Sequence, residues 1–342
     1  MKAIVYYNYG SPDVLQLEEI EKPIARDNEV LIKVRAASVN PLDRGELKGA
    51  PYIFRIIFGL RKPEATRPGR PGVDVAGQVE AIGRNVTQFK PGDEVFGMCI
   101  SNPLASGVKV WVHHQGAFAE YACVPELALV LKPNSVTFEQ AASAPVAAIT
   151  ALQGLRDKGH IQPGQKVLIH GAGGGVGTFA VQIAKSFGAN VTGVTSSWNV
   201  DMVRSIGADR VIDYTQEDFT ESGQRYDLIF DCFANHPLSA CRRVLNPRGI
   251  YVGVGPPATG GRIGILTSLI QMLVFSRLTS QKLVTFLARP NKEDLTIMGE
   301  VLATGKVTPV IDRCYRLSQV PEAIRYFEEG HARGKVVITF MT

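Results

Sequence analysis

The feature that most constrains this chain is Lys166-Val-Leu-Ile-His-Gly-Ala-Gly-Gly-Gly-Val-Gly177, an apolar run broken by a cluster of small residues. Lys166–His170 has the composition of a buried strand, and residues 176–187 have that of a helix. Between them, Ala172, Gly174 and Gly177 fall in an A-x-G-x-x-G register. Small residues there permit a tight turn, close approach of a ligand to the backbone, and close packing of helix on strand. The first turn of the helix adds unpaired N–H groups and roughly half a positive charge. Such a turn predicts a dinucleotide pyrophosphate held by Gly173, Gly174, Gly175 and Val176.

The surrounding sequence repeats the same alternation. Strands are predicted over Asn190–Thr195, 210–214, 226–232 and 249–254, with helices over 199–206 and 237–245. Strands separated by single helices imply right-handed crossovers and a doubly wound parallel sheet. Upstream, 139–158 is Ala-rich and predicts helix.

The end of the second predicted strand bears on cofactor choice. A carboxylate there would hold a ribose 2′-hydroxyl and repel a 2′-phosphate, by about 1 kcal/mol in water and more when buried. The chain instead places Thr195, Ser196 and Ser197 there. Hydroxyls without a carboxylate favour NADPH. Tyr214, after the following strand, is a further candidate for the phosphate or adenine, and Arg204 is within reach of that end.

The first third reads differently. Strands over 29–36 and 73–82, punctuated by Pro71-Gly72 and Pro91-Gly92, predict a β-rich, barrel-like domain with few helices. Near the C-terminus, helices are predicted over 293–304 and 320–329, and a closing strand over 335–340 that returns to the first domain. The predicted division is therefore 1–125 with 289–342 as one domain, and 126–288 as the cofactor-binding domain inserted in it. A chain of 342 residues has room for both.

Composition narrows the classes. The net charge of +5 comes from scattered residues that form no nucleic-acid patch or arm. The five cysteines are widely spaced, without a C-x-x-C pair, as in a reducing cytoplasm. No leader or arginine-rich transit pattern opens the sequence. The apolar run 263–275 is too short to cross a bilayer and reads as a buried or interface helix.

Beyond these local readings, the chain resembles the medium-chain dehydrogenase/reductase superfamily in its zinc-free quinone oxidoreductase branch. The resemblance runs through Ser38-Val-Asn-Pro-Leu-Asp43, Pro71-Gly-Val-Asp-Val-Ala-Gly77, Lys90-Pro-Gly-Asp-Glu-Val-Phe-Gly97, Gly116-Ala-Phe-Ala-Glu-Tyr121, Ala147-Ala-Ile-Thr150, the glycine turn and Ile206-Gly-Ala-Asp209. Gly330-His-Ala-Arg-Gly-Lys-Val-Val-Ile338 is similar to reticulon-4-interacting-protein-like and alkenal or enone reductases. It implies a Rossmann sheet inserted in a β-rich GroES-like catalytic domain, and a homodimer formed by edge pairing of the cofactor sheets.

The resemblance also implies which chemistry is missing. Positions that carry zinc ligands in zinc-dependent members read Asn40, Val73 and Val146, and Leu42 stands for a proton-relay hydroxyl. His113 and His114 are adjacent and supply no converging ligand set. No metal is expected. Without a Lewis acid, quinones and α,β-unsaturated carbonyls are favoured over alcohols, because hydride adds to carbon and the charge spreads over the conjugated system.

The implied site residues follow. Asn40 either donates to the substrate oxygen or holds its loop. Asp43 either orients that loop or a water, or is a turn carboxylate. Thr150 corresponds to a nicotinamide contact, and Gly253, Val254 and Gly255 pass the nicotinamide ribose. Lys335 reaches cofactor or substrate, or forms a salt bridge. Tyr52 lies in the apolar segment 50–60, read as a wall of the substrate cleft or as a packed patch. The expected activity is NADPH-dependent quinone or enone reduction with a proton from solvent. The alternatives are a zinc-free NADP(H)-dependent alcohol dehydrogenase and a non-catalytic NADPH-binding or sensing protein.

Overall fold

A computed structural model describes residues 1–49, 68–100, 116–255 and 280–340. Tyr52, His113, His114, the segment 50–60 and the run 263–275 lie outside the described residues. The chain divides into two compact units, one of Met1–Val146, Pro290–Thr304 and Ile311–Thr342, the other of Ala147–Arg289 and Gly305–Val310.

The first unit is built on β-strands, β1 (Lys2–Val5), β2 (Gln16–Glu19), β3 (Glu29–Ser38), β4 (Asp74–Ile82), β5 (Glu94–Met98), β6 (Tyr121–Pro125) and β7 (Leu129–Leu131). Helix α1 (Pro41–Leu47) follows β3 and α2 (Phe138–Ser143) follows β7, while α3 (Pro145–Gln153) carries the chain into the second unit. Ile4, Ile32, Val34 and Val79 on these strands and Phe118 just before β6 are buried together in one core.

In the second unit, β8 (Lys166–His170), β9 (Asn190–Thr195), β10 (Arg210–Asp213), β11 (Tyr226–Asp231), β12 (Leu245–Val254) and β13 (Lys282–Phe286) form a sheet in the order β10-β9-β8-β11-β12-β13. Every pairing is parallel. The intervening helices are α4 (Gly175–Ser186), α5 (Val200–Ser205) and α6 (Leu238–Arg243). The chain winds outward from β8 through β9 to β10, then crosses to β11 on the other side of β8. The C-terminal ends of β8 and β11 thus flank the point where winding reverses, where open α/β sheets take their ligands.

The chain then returns to the first unit through α7 (Lys292–Ala303), β14 (Ile311–Arg316), α8 (Val320–Glu328) and β15 (Lys335–Thr339). β15 pairs antiparallel with β3, setting Val337 opposite Ser38.

Sequence and structure differ at particular elements. The helix expected over 139–158 is broken before Pro145, whose ring cannot continue the helix ladder, and ends in a π-helical turn over Gly154–Lys158. Gly154 lets that turn approach the Phe230 ring. β13 was not anticipated. Its Lys-Leu-Val-Thr-Phe sequence has no distinctive period, and only pairing with β12 makes it a strand. Residues 126–146, assigned by sequence to the cofactor-binding domain, belong to the first unit.

Candidate functional site

The glycine turn lies between β8 and α4. Gly171 takes a φ of 85°, and its N–H and that of Ala172 both donate to Val194 O at the end of β9. Gly174 caps α4 with extended backbone and no side-chain cap, so the first turn of a 12-residue helix keeps its N–H groups for a ligand. A side chain at Gly177 would collide with the Gly171 carbonyl, whereas one at Gly174 would, among the described residues, meet only that oxygen, at 3.5 Å. Gly177 is thus required by packing, whereas packing among the described residues does not require Gly174. Gly173, Gly175 and Val176 belong to the same turn.

Thr195 is buried at the end of β9, and its carbonyl accepts from Tyr214 N at 3.0 Å. Tyr214 is exposed beside it, and Ser196 and Ser197 open the turn that leads into α5. A carboxylate does stand nearby. Asp213, at the end of β10, accepts from Ser197 Oγ at 2.6 Å and from Thr215 Oγ1 at 2.8 Å. The bond from Ser197 and those from Thr215 hold the Asp213 carboxyl below the ordinary range. The Ser197 hydroxyl is therefore committed to Asp213, which the sequence reading missed because the two come together only through strand pairing.

At the reversal point, Asp231 on β11 pairs in register with His170 on β8. Its Oδ1 lies 2.9 Å from His170 Nδ1 and accepts from Phe233 N and Ala234 N, while Oδ2 accepts from Tyr251 OH at 2.8 Å. Burial pushes this carboxyl up, but His170 and the two amides outweigh it and leave the value lowered. The network pins the loop after β11, where Ala234 holds a φ of 48°. Gly253, at the end of β12, is in register with Asp231; Val254 follows, and Gly255 takes a φ of 75°. Thr150 is buried on α3 in the same unit.

The first unit contains a second polar cluster, centred on Asp74, which is wholly buried. Its Oδ2 accepts from Ser38 Oγ at 2.8 Å and Asn40 Nδ2 at 2.9 Å, and its Oδ1 from Val146 N at 3.0 Å. Lys335 Nζ donates to Asn40 Oδ1 at 2.7 Å and lies 3.5 Å from Asp74 Oδ2. Burial pushes the Asp74 carboxyl up and the Lys335 ammonium down, each partly restored by the other. The second amide hydrogen of Asn40 goes to Ser38 O at 3.1 Å. Asp43, also wholly buried, accepts from Asn40 N, Gly72 N and Val73 N.

These contacts bear on the readings left open above. Both amide hydrogens of Asn40 are engaged inside the protein, the arrangement of a residue that holds its loop. Asp43 is a turn carboxylate that joins two loops. Lys335 pairs with Asp74 and donates to Asn40 Oδ1. The structure brings Asn40 and Lys335 together at Asp74, a residue of the Pro71–Gly77 motif to which the sequence assigned no role, and ties Asp43 to the backbone of Asn40, Gly72 and Val73.

Comparison with known proteins agrees with both units. Residues 26–134 match the alcohol dehydrogenase GroES-like domain, and residues 206–338 match the family described as zinc-binding dehydrogenase. The 2-methylene-furan-3-one reductase of Solanum lycopersicum is 35% identical over 99% of this chain and 79% of its own length. The chain belongs to the medium-chain dehydrogenase/reductase superfamily, in its quinone oxidoreductase branch. Within that superfamily, the chloroplastic NADPH-dependent alkenal/one oxidoreductase of Arabidopsis thaliana is 34% identical over 99% of this chain and 79% of its own length. The quinone oxidoreductase from Coxiella burnetii superposes with a TM-score of 0.84 at 31% identity, covering 100% of this chain and 99% of its own. The superfamily fold, a parallel Rossmann-type sheet with a GroES-like domain, is the one described above, and a nicotinamide dinucleotide is its cofactor.

Proposed function

We propose that this protein is an NADPH-dependent reductase of quinones or α,β-unsaturated carbonyls that works without zinc and takes its proton from solvent. The glycine turn carries the reading, since an uncapped helix N-terminus stands at the sheet's reversal point. The relatives, among them an alkenal/one oxidoreductase and a quinone oxidoreductase, suggest the acceptor class. The choice of NADPH rests on the end of β9. Thr195 and Ser196 present hydroxyls there, and the nearby carboxylate of Asp213 is turned onto Ser197 and Thr215.

NADPH, when bound, supplies the hydride. The chain's own residues then have distinct tasks. The α4 N-terminus, with Gly173, Gly174, Gly175 and Val176, binds the pyrophosphate, and Thr195, Ser196 and Tyr214 face the adenosine end. Thr150 and the Gly253, Val254 and Gly255 segment border the nicotinamide end. In the first unit, proposed as the catalytic domain, Asn40, Asp43 and Lys335 keep the loop after β3 in one conformation. The donors around position 40 do not fit a zinc ion. Val73 and Val146 offer no ligating side chain, and their amides are bound by Asp43 and Asp74. Asp74 already has an ammonium beside it.

The test is NADPH oxidation followed at 340 nm with an enone and a quinone, with and without a chelator. Chelator-resistant turnover with either acceptor supports the reading. If neither acceptor is reduced while simple alcohols reduce NADP⁺, the reading fails in favour of an alcohol dehydrogenase. Tight NADPH binding without turnover of any acceptor replaces it with a sensing role. A homodimer joined along the β13 edge and a cytoplasmic location belong to the same proposal. Light scattering tests the first and fractionation the second. Among the described residues, no helix is long and apolar enough to cross a membrane.

A further inference from the structure

The loop after β11 is packed on two histidines. His236 lies edge-on against His170 of β8, with ring centroids 5.2 Å apart. Phe219, from the connection between β10 and β11, lies 4.7 Å from the His236 ring and 5.2 Å from the His170 ring. His170 donates through Nδ1 to Asp231 Oδ1, the same oxygen that accepts from Phe233 N and Ala234 N. His236 Nδ1 is 3.0 Å from Asn235 Oδ1, and its Nε2 is 3.6 Å from Asp218 Oδ1. An imidazole that donates at Nδ1 carries no proton at Nε2 while it is neutral, so this Nε2 has nothing to give Asp218. The loop also sets the exposed Phe233 ring on the glycine turn, where a side chain on Gly171 would stand 2.6 Å from Phe233 Cδ2.

A proton on Nε2 changes which neighbour His236 favours, because the cation gains an ion pair with Asp218 and is opposed by His170. The other charged and titratable groups described around the two rings are Asp231, Cys232, Arg243 and Cys241 on α6, and Tyr251 on β12. Burial raises both thiols and the phenol. It also raises the Asp218 and Asp231 carboxyls, but the Thr220 amide and His170 outweigh it and leave both lowered. Among the described residues, a change of charge between about pH 5 and pH 8 is therefore left to imidazole. We propose that His236 is a proton-operated latch on the loop after β11. Neutral, it packs on His170 and Phe219 and keeps Phe233 on the glycine turn. Protonated, it turns to Asp218 and lets the loop leave that turn. Resting on the reading of the turn as a dinucleotide site, the open latch weakens the cofactor. Burial and His170 hold the packed imidazole below its ordinary 6.5, against Asp218 and Asp231. The open loop returns it to water, so the closed form loses ground as pH falls below 6.5.

The experiment measures hydrogen exchange at the Phe233 and Ala234 amides of the cofactor-free protein between about pH 5.5 and pH 8, corrected for the intrinsic rate. Wild type, His236→Phe and Asp218→Asn are compared. Wild-type protection is expected to fall about tenfold or more on acidification. His236→Phe keeps an aromatic ring but cannot titrate, and its protection should stay constant. Asp218→Asn should move the fall to lower pH, since the cation loses its partner. His236→Gln, which also cannot titrate, replaces His236→Phe if that variant does not fold. The Kd of NADP⁺ is taken as a ratio to that of the His236 variant at the same pH, which cancels titration of the ligand. The ratio is expected to rise about fivefold or more over the same range. A level wild-type profile, the same fall in the His236 variant, or an unchanged midpoint in Asp218→Asn overturns the inference. A fall in protection at a constant Kd ratio separates the loop from the turn and overturns it too. If the wild type binds no dinucleotide at any pH, the reading of the glycine turn fails, and the exchange profile still decides the latch.

Discussion

The ammonium of Lys335 lies 2.7 Å from the carboxamide oxygen of Asn40, across 295 residues of sequence, with the buried carboxylate of Asp74 completing the group. This contact ties the closing strand β15 to the loop after β3 and fixes which way the Asn40 amide faces. Replacing Lys335 by Met leaves Asp74 buried beside no cation. The expected loss is about 3–5 kcal/mol in unfolding free energy. A second change, Asp74→Asn, should recover part of it. Urea denaturation of the two single variants and the double variant checks this, and additive losses would show that the pair is not coupled.

Helix α1 carries a second testable group. Glu46 Oε1 accepts from Tyr6 OH at 3.0 Å, and burial raises the Glu46 carboxyl to about 8, opposed by the Tyr6 bond. A carboxyl whose folded value exceeds its unfolded value binds its proton more tightly in the native state. Its contribution is complete below the unfolded value of 4.5 and is lost as pH rises through about 8. Calorimetry between about pH 5 and pH 9 should therefore show the wild type losing melting temperature relative to Glu46→Gln as pH rises. Parallel curves would remove Glu46 from the account.

The glycine turn separates packing from binding. Gly177→Ala places a methyl group on the Gly171 carbonyl and should lower stability by about 2 kcal/mol or more. Gly174→Ala meets, among the described residues, only one oxygen, at 3.5 Å, and should fold normally. It should weaken NADPH about tenfold by placing a methyl group where backbone and pyrophosphate approach closely. Thermal melts and cofactor titrations on the two variants should give opposite patterns.

Asp231 predicts behaviour at the acid end. Its folded value is lowered, so its contribution is present above the unfolded carboxyl value and is lost as pH falls through the folded one. Asp231→Asn breaks the contacts with His170 and Tyr251 and should cost about 2–4 kcal/mol at neutral pH. Its stability should also fall less steeply than the wild type's below about pH 4. Urea midpoints at neutral and acid pH check both parts.

Much of the second unit was legible in the sequence. The predicted bounds of β8 and β9 match those found, and α4 starts one residue from its expected place, because apolar period and glycine spacing are local properties of the chain. The superfamily was readable for the same reason. The edge strand β13 was not, since without its partner β12 it has no distinguishing period.

What the sequence determined by itself was therefore the parallel sheet, the glycine turn between β8 and α4 and the uncharged end of β9. The tertiary structure decided how the polar side chains are used. Asn40, Asp43 and Lys335 each read from sequence as either a substrate- or cofactor-facing group or a structural one, and long-range packing sets Asn40 and Lys335 against Asp74 and Asp43 against neighbouring backbone amides. Asp213, Asp231 and His236 carried no motif at all. The physical reason is common to these residues. A buried polar group must find a hydrogen-bond partner, that partner is brought in by strand pairing or loop packing, and only the folded chain shows which partners are met.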